Sequence, residues 1–585
     1  MIGRGLSLAW LLALAGCAAQ QSPVAPPVPV PLAAGPVEVQ ILGINDFHGN
    51  LEPPKQWIET IGTDAAGTRV PAGGVAFLAT AAKTLRAGKP HSVTLSAGDM
   101  IGGTPLVSAL FLDEPAIQAM EQVGVEYNAV GNHEFDKGSA ELVRMQRGGC
   151  DKHTNRQPCA VEPYDGAAFE FLAANVLTAS GQPLFPGSAI KDFGPVQLGI
   201  IGMTLKETAT LVTPSGVAGL TFADEATTAN AAVPRLKAAG ADAIVLLIHQ
   251  GARTTGAFND ATCPGLSGDI LPILARLDPA IEVVVSGHTH AAYTCTVARP
   301  GGGKPLLLTS AGRYGTMITD IRLTIDPASG ITARRAENVI VQGEGFTSSA
   351  GPVATTAAYP MFPADPATAA LVERYVQAAK PQAERVVATL RASLSAGPDE
   401  HGGRRLGELI ADSQLAWTRP ETRGGAEIAF MNGGGVRADL MPGPGGRVTY
   451  AQLFALQPFG NGLVVQTLTG AQIKRLLEQQ FASGTNTAAK PNTLLPSEGF
   501  AFRFDLTRPA GERIVGMTLR GKPIDPNRRY RVTTNSFLAS GGDNFTVLRE
   551  GGERIDAGVD LDALEAWLKD DPAAPTGNRV RNVRL

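Results

Sequence analysis

Asp46 and His48 lie in ILGINDFHGN, Asp99 in VTLSAGDMIGG, and Asn132, His133, Glu134 and Asp136 in AVGNHEFDKG. His249 lies in IVLLIHQG, and His288 and His290 lie in VVVSGHTHA. Each segment puts carboxylate, amide or imidazole groups at the end of a short apolar run. Of the eight histidines, only His91, His153 and His401 fall outside these segments. Oxygen and nitrogen ligands without thiolates suit Mn, Zn, Mg, Co or Fe. Two such ions about 3.5–4 Å apart can activate water and clamp phosphoryl oxygens. They need a bridging anion, which Asp99 can provide. A lone Asp after a strand is more often a turn or helix cap, and a lone HxH is more often structural. The ordered set points instead to a pocket for two divalent ions and to hydrolysis of phosphate esters.

The runs that carry these groups, VEVQILGIN, HSVTLSAG, AIVLLIHQ and IEVVVSGH, are short and aliphatic or β-branched, as buried strands are. Helical stretches such as VAFLATAAKTLRAG and NAAVPRLKAAG lie between them. The class is therefore α/β, in which ligands collect outside the carboxyl ends of strands. A chain of 585 residues exceeds the roughly 250–300 that one core accommodates. Residues 37–345 are expected to form the metal-bearing domain. Residues 346–365 are rich in Ser, Ala, Thr and Pro and are expected to be a linker. ATAALVERYVQAAKPQAERVVATL follows with helical periodicity, interrupted at Pro381, so residues 346–384 form the linker and connecting helix. Residues 385–585 form a second α/β unit with its own glycine-rich loops.

The net charge of −4 and the lack of a long basic run argue against a nucleic-acid polymer as partner. Residues 1–17 have the form of an export signal. Arg4 precedes an apolar run from Leu6 to Ala15 that is too short to span a bilayer. The run ends in Leu14-Ala15-Gly16-Cys17, which resembles the lipobox of bacterial lipoproteins. That resemblance implies cleavage before Cys17, acylation there and lipid anchoring, with Ala18 in place of Asp directing the chain to the outer membrane. Residues 18–36 are a Pro-rich, extended tether. Beyond Cys17 there remain Cys150, Cys159, Cys263 and Cys295. Four cysteines allow three pairings, and sequence alone does not choose among them. The expectation taken is Cys150–Cys159, closing a short polar loop, and Cys263–Cys295, clamping the loop before GHTH. A zinc site is the rival, without the CxxC spacing it would need.

Together these segments resemble those of calcineurin-like metallophosphoesterases, and in particular the bacterial 5′-nucleotidase / UDP-sugar hydrolase family, over nearly the whole folded length. The resemblance implies an N-terminal β-sandwich flanked by helices, a connecting helix and a C-terminal α/β nucleotide-binding domain. It implies one ion held by Asp46, His48, Asp99 and His290, and another held by Asp99, Asn132, His249 and His288. His290 stands where some relatives have Gln. His133 would face the phosphoryl group, oriented and kept protonated by Asp136, while Glu134 braces the loop.

In the second half, Met431-Asn432-Gly433-Gly434-Gly435-Val436-Arg437, Phe459 in LQPFGNGLV, and Phe537 and Asp543 in TNSFLASGGDNF match the family's nucleoside pocket. Phe459 and Phe537 would sandwich the base, Asp543 would hold the ribose, and Asn432 and Arg437 would contact the phosphate or base side. Relatives carry a phosphate-binding Arg a few residues before the segment that reads LGELIAD here. This chain has Arg404 and Arg405 shifted closer; either substitutes, or that contact is missing. The implied activity is hydrolysis of nucleoside 5′-monophosphates, with nucleotide sugars or 2′,3′-cyclic nucleotides as further substrates. A thiosulfohydrolase of the same frame and a non-catalytic nucleotide-binding lipoprotein are the rivals. The substrate would bridge a cleft between domains, the second rotating about a helix near residues 366–390.

Overall fold

The computed structural model describes residues 35–60, 67–154, 156–348, 351–570 and 574–585. The export signal, the lipobox with Cys17 and nearly all of the tether lie outside the described residues.

Two six-stranded sheets form the first domain. In one, Val37–Ile44, Ser92–Ser96, Tyr127–Ala129 and Glu170–Leu172 run parallel, with Met317–Asp326 and Gly330–Ile340 added antiparallel. In the other, Gln197–Met203, Ala243–Ile248, Ile281–Ser286 and Leu306–Ala311 run parallel between antiparallel edges Ser188–Asp192 and Ala292–Val297. Successive residues of a strand point to opposite faces. Val39, Ile41, Val93 and Leu95 of the first sheet therefore meet Leu198, Ile200, Val245 and Leu247 of the second between the sheets. Their neighbours Leu42 and Ile44 face the helices Val75–Arg86 and Glu114–Val123. Ile201, Leu246 and Ile248 face the helix Glu225–Ala238. Both faces of each sheet are covered, which is why the strands read as continuous apolar runs rather than alternating ones.

Both expected disulfides are formed, Cys150–Cys159 and Cys263–Cys295. The second ties the loop after Ala243–Ile248 to the edge strand Ala292–Val297.

The segment expected to be a linker packs back on the first domain. Its strands Phe346–Ser348 and Gly351–Val353 pair as a hairpin, and the Gln342 amide donates to the carbonyls of Thr356, Tyr359 and Pro360. The helix that follows is Pro366–Ala383, capped by Asp365 accepting from the Thr368 amide. The helical reading to residue 390 is corrected here. Pro381 sits inside the last turn rather than breaking the helix, and Val386–Thr389 is a strand paired with Arg447–Thr449. A proline near a helix end costs little, because the helix stops before the missing N–H matters, and β-branched Val386 and Val387 then favour extended backbone. The helix buries Leu371, Tyr375 and Ala379 in the core of the first domain.

The second domain carries a five-stranded sheet in the order Leu494–Pro496, Ile428–Asn432, Arg529–Asn535, Gly462–Thr469, Gly552–Val559. A four-stranded sheet containing Phe500–Phe504 and Ile514–Leu519 lies beside it. Leu106 and Ala109 of the first domain pack among Leu453, Phe454 and Leu456 of the second, so the domains share an apolar contact.

One glycine fixes the distance between the sheets. A Cβ on Gly202 would lie 2.3 Å from the Leu172 Cβ and 2.7 Å from its carbonyl oxygen. Backbone cannot yield there without moving a strand. Gly202→Ala is therefore expected to lower unfolding stability by about 1–3 kcal/mol, read as a fall in denaturant midpoint at unchanged slope. An unchanged midpoint would contradict this account of the sheet spacing.

Candidate metal centre and cleft

The carboxyl ends of five strands from both sheets meet at one edge of the sandwich. Val37–Ile44 leads to Asp46 and His48, Ser92–Ser96 to Asp99, Tyr127–Ala129 to Asn132, Ala243–Ile248 to His249, and Ile281–Ser286 to His288 and His290. The chain must turn sharply there. Asp46 (φ 49°), His48 (46°), Asp99 (53°), His288 (67°) and His290 (58°) all adopt left-handed backbone conformations. Each such non-glycine residue costs of order 1 kcal/mol or more and persists only when its surroundings over-determine it.

Those surroundings are hydrogen bonds to backbone. Asp46 accepts from the His288 amide at 2.9 Å and from the Asn45 side chain at 2.7 Å. Asn45 in turn donates to the Gly312 carbonyl and accepts from the Ala311 amide. Glu134 accepts from three amides, those of Asp99 (2.9 Å), Gly131 (2.7 Å) and Met100 (2.8 Å), and so ties the Asp99 loop to the Asn132 loop. Asp99 Oδ1 accepts from the His133 amide at 2.9 Å.

Asp46, His48 and His290 converge in one cluster, and Asp99, His249 and His288 in another, with the ligand atoms of each within 4.8 Å of one another. Asn132 joins the second, its Oδ1 lying 3.0 Å from His288 Nδ1. The two clusters meet at Asp99, whose Oδ2 is 3.0 Å from His249 Nε2 and 3.7 Å from His48 Nε2.

Two tautomers can be assigned from carbonyl contacts. His48 Nδ1–H donates to the Gly102 carbonyl and His249 Nδ1–H to the Ala97 carbonyl, each at 2.7 Å. Their Nε2 atoms therefore point inward. His48 Nε2 faces His290 Nε2 at 3.1 Å. Buried His249 Nε2 finds no hydrogen bond of acceptable geometry although Asp99 Oδ2 is 3.0 Å away. Ring nitrogens and a carboxylate oxygen converging at these distances suit a cation, and neutral imidazole with carboxylate is the donor set of divalent metals.

The charge balance agrees. Burial pushes His48 and His288 down to about 3, which leaves them neutral. Burial also pushes His249 down, but the Asp99 carboxylate outweighs it and lifts the group to about 10. A positive charge belongs between those facing atoms, and a divalent ion meets that demand.

His133 stands beside the clusters and not in them. Its Nδ1 is 2.8 Å from Asp136 Oδ2. Burial opposes protonation, but Asp136 and Asp99 outweigh it and raise the imidazole above its ordinary range. Its ring stacks on Phe459 of the second domain, with centroids 5.9 Å apart and planes at 14°, and the Arg437 guanidinium lies 5.7 Å from the Phe459 centroid.

A cavity of about 210 Å³ runs from Asn132, His133 and His288 to Asn432, Phe459, Phe537 and Asp543. Asn432 ends one strand of the second domain and donates to Asp543 at 2.7 Å. Asn535 ends another and donates to Asn432 at 3.0 Å. Burial holds the Asp543 carboxyl above its usual range. Arg437 borders this cavity and the larger cleft on the other side of the metal clusters.

The two substituted arginines are not brought to either. Arg404 lies against Gly433 and donates to the Ala396 carbonyl. Arg405, the first residue of the helix Arg405–Thr418, turns outward and donates to the Pro575 carbonyl. Of the two alternatives for the family's phosphate ligand, Arg405 is the one directed away, toward Pro575. Sequence reasoning missed Asn45, Asn461, Asn535 and Tyr314. Asn461 and Asn535 line the cavity. Tyr314 packs its ring 5.6 Å from His290 and 5.9 Å from His48. Asn45 follows the apolar run ILGI as the ligands follow theirs, which was the available signal.

Glu134→Gln keeps the shape and replaces one acceptor oxygen with a donor that faces backbone N–H. A loss of about 1–3 kcal/mol is expected from the unsatisfied amide. Weaker binding of divalent metal should accompany it in calorimetric titration. Unchanged stability and affinity would remove Glu134 as the brace of the two loops.

Residues 39–292 match the calcineurin-like phosphoesterase family and residues 384–550 the 5′-nucleotidase C-terminal domain. The chain is 29% identical to endonuclease YhcR of Bacillus subtilis over 92% of its own length, and spans 40% of that longer protein. It is 26% identical to a 5′-nucleotidase of Diplobatis ommata, over 92% of this chain and 88% of that one. The structure of a 5′-nucleotidase precursor from Thermus thermophilus superposes with a TM-score of 0.73 at 28% identity, covering 94% of this chain and 100% of the other. Metal clusters at the strand ends of one domain and a ring-lined cleft in the next are thus matched domain by domain, and the chain belongs to the 5′-nucleotidase family of two-domain metallophosphoesterases, which are phosphoric-ester hydrolases.

Proposed function

We propose that the chain is a dinuclear-metal-dependent 5′-nucleotidase that converts nucleoside 5′-monophosphates to nucleoside and phosphate. The observation that carries this reading is the single cavity shared by His133, His288 and Asn132 on one side and by Asn432, Phe459, Phe537 and Asp543 on the other. A phosphoryl group at the metal clusters leaves its nucleoside in the ring-lined half. Asp46, His48 and His290 would hold one ion, and Asn132, His249 and His288 the other, with Asp99 between them. Two divalent ions there would polarise the phosphoryl oxygens and make water nucleophilic at neutral pH.

The protein's own part is positioning and charge. With Nδ1 committed to Asp136, protonated His133 presents Nε2–H to the phosphoryl group, stabilises charge that develops there and can protonate the leaving 5′-oxygen. Phe459 and Phe537 offer aromatic faces that stack on any base, Asp543 accepts from ribose hydroxyls, and Asn432 holds Asp543 in place. Arg437, on the Phe459 ring, supplies positive charge beside the phosphate. Aromatic rings in the cavity favour a nucleotide over a thiosulfonate as substrate. The same reading places the enzyme outside the cytoplasm, acylated at Cys17 in the outer membrane. Among the described residues, no helix is long and apolar enough to cross a bilayer.

Phosphate release should be measured from a panel of nucleotides after chelation and reconstitution with single metals. Activity should vanish with chelation and return with two equivalents of metal. Asp99→Asn should remove at least about 100-fold of the rate, since it weakens both clusters at once. Phe459→Ala should raise KM for AMP by about 10-fold, the worth of one base–ring stack, and leave KM for 4-nitrophenyl phosphate nearly unchanged. Equal effects on both substrates would remove the stacking role. Full activity in the Asp99→Asn variant would sink the dinuclear reading.

A further inference from the structure

The nucleotidase reading uses only one side of the metal clusters. On the other side a cleft of about 620 Å³ opens, bordered by Asp99, His288 and His290 and continuing outward to Trp57, Arg253 and Arg313. His133, His288 and Arg437 border both spaces, so the clusters sit between two arms and not at a dead end. The size falls within the range of ligand clefts.

The charge in this outer arm is unusual. Among the described residues, none of Arg253, Arg313 and Arg437 is paired with a carboxylate. Arg313 donates only to Gln56, at 3.3 Å, Arg437 only to the Gly434 carbonyl, at 3.5 Å, and the side chain of Arg253 has no partner at all. The acids along the same cleft are Asp99, committed to the metal clusters, and exposed Glu59.

The backbone beneath both outer arginines is fixed. Arg253 pairs with Ser267 through both backbone bonds. Its loop is held by Cys263–Cys295, and Thr289 of the GHTH segment donates to the Ala252 carbonyl at 2.7 Å. Arg313 lies 5.0 Å over the Tyr314 ring, which itself packs against His290 and His48. Unpaired, anchored guanidinium groups on the wall of a cleft are arranged for an anion.

We infer that this outer cleft is a second substrate arm, in which Arg253 and Arg313 take an anionic group attached beyond the phosphoryl under attack. The inference rests on the nucleotidase reading and adds two specificity-determining residues to it: among the nucleotide sugars that the family resemblance already implies, Arg253 and Arg313 select those whose distal substituent carries a negative charge. Water attacks the phosphorus lying between the two arms and the P–O–P bridge breaks. The products are a nucleoside 5′-monophosphate in the inner cavity and a phosphomonoester of the substituent in the outer arm, and the two protons of water leave as the two new phosphate groups ionise.

A matched pair of probes isolates the charge. UDP-glucose and UDP-glucuronate differ by one carboxylate at the far end, and UMP lacks the arm altogether. With the full chain reconstituted with Mn, wild type should give a higher kcat/KM for UDP-glucuronate than for UDP-glucose. The double variant R253Q/R313Q should lose about 10-fold or more on UDP-glucuronate, as expected for a lost charge-assisted hydrogen bond. It should stay within about twofold of wild type on UMP, which also shows that it has folded. Equal losses on both UDP derivatives, or none on either, would overturn the second arm. Wild type that fails to hydrolyse UMP would refute the nucleotidase reading instead, a separate outcome.

Discussion

The architecture depends on ring nitrogens and a carboxylate turned toward one another inside a protein. Asp99 Oδ2 lies 3.0 Å from His249 Nε2, and His48 Nε2 lies 3.1 Å from His290 Nε2, each pair at the carboxyl ends of strands. Each contact needs a shared proton or a metal ion, because a buried polar atom without a partner is costly. Binding of metal is therefore coupled to the integrity of this edge of the sandwich, and the ordering of the edge is part of the metal affinity.

Geometry of that kind cannot come from one loop. Five strand ends from two sheets contribute, and five of the ligand residues are held in left-handed conformations that would relax if any neighbour gave way. The restraint is spread over groups that touch no metal: Glu134 spanning two loops through three amides, and Asn45 linking Asp46 to the Gly312 turn. A sandwich covered by helices on both faces suits this role because its interior is incompressible. The strand ends keep their spacing while the loops carry strain.

What could be read in the sequence followed from locality. Buried parallel strands announce themselves as short aliphatic runs, and a ligand just beyond a run has its position set by the run. Asp46, Asp99, His249 and the GHTH histidines were legible for that reason, and the resemblance of the ordered set named the second domain. What stayed hidden depended on tertiary contact. Nothing in ERVVATL shows that Val386–Thr389 will find Arg447–Thr449 and leave the helix. Arg404 and Arg405 are adjacent in a chain that looked for one phosphate ligand, yet a helix start sends one against Gly433 and the other to Pro575. Tyr314 carries no motif, and its place beside His48 and His290 comes from a turn that brings its amide to the Asp46 carbonyl at 2.7 Å.

The stack of Arg437, Phe459 and His133 joins the halves of the molecule at the point where chemistry is proposed. Phe459 belongs to the loop before Gly462–Thr469 in the second domain, and His133 to the loop after Tyr127–Ala129 in the first. A ring that borders the nucleoside cavity while lying on the imidazole beside the metals makes substrate recognition and proton handling mechanically dependent. A displacement of the second domain that slides Phe459 off His133 would admit water to the imidazole, which relieves the burial that opposes its protonation and at the same time screens Asp136 and Asp99. In the proposed reaction, base recognition and the proton on His133 therefore meet at one aromatic contact rather than through a long relay.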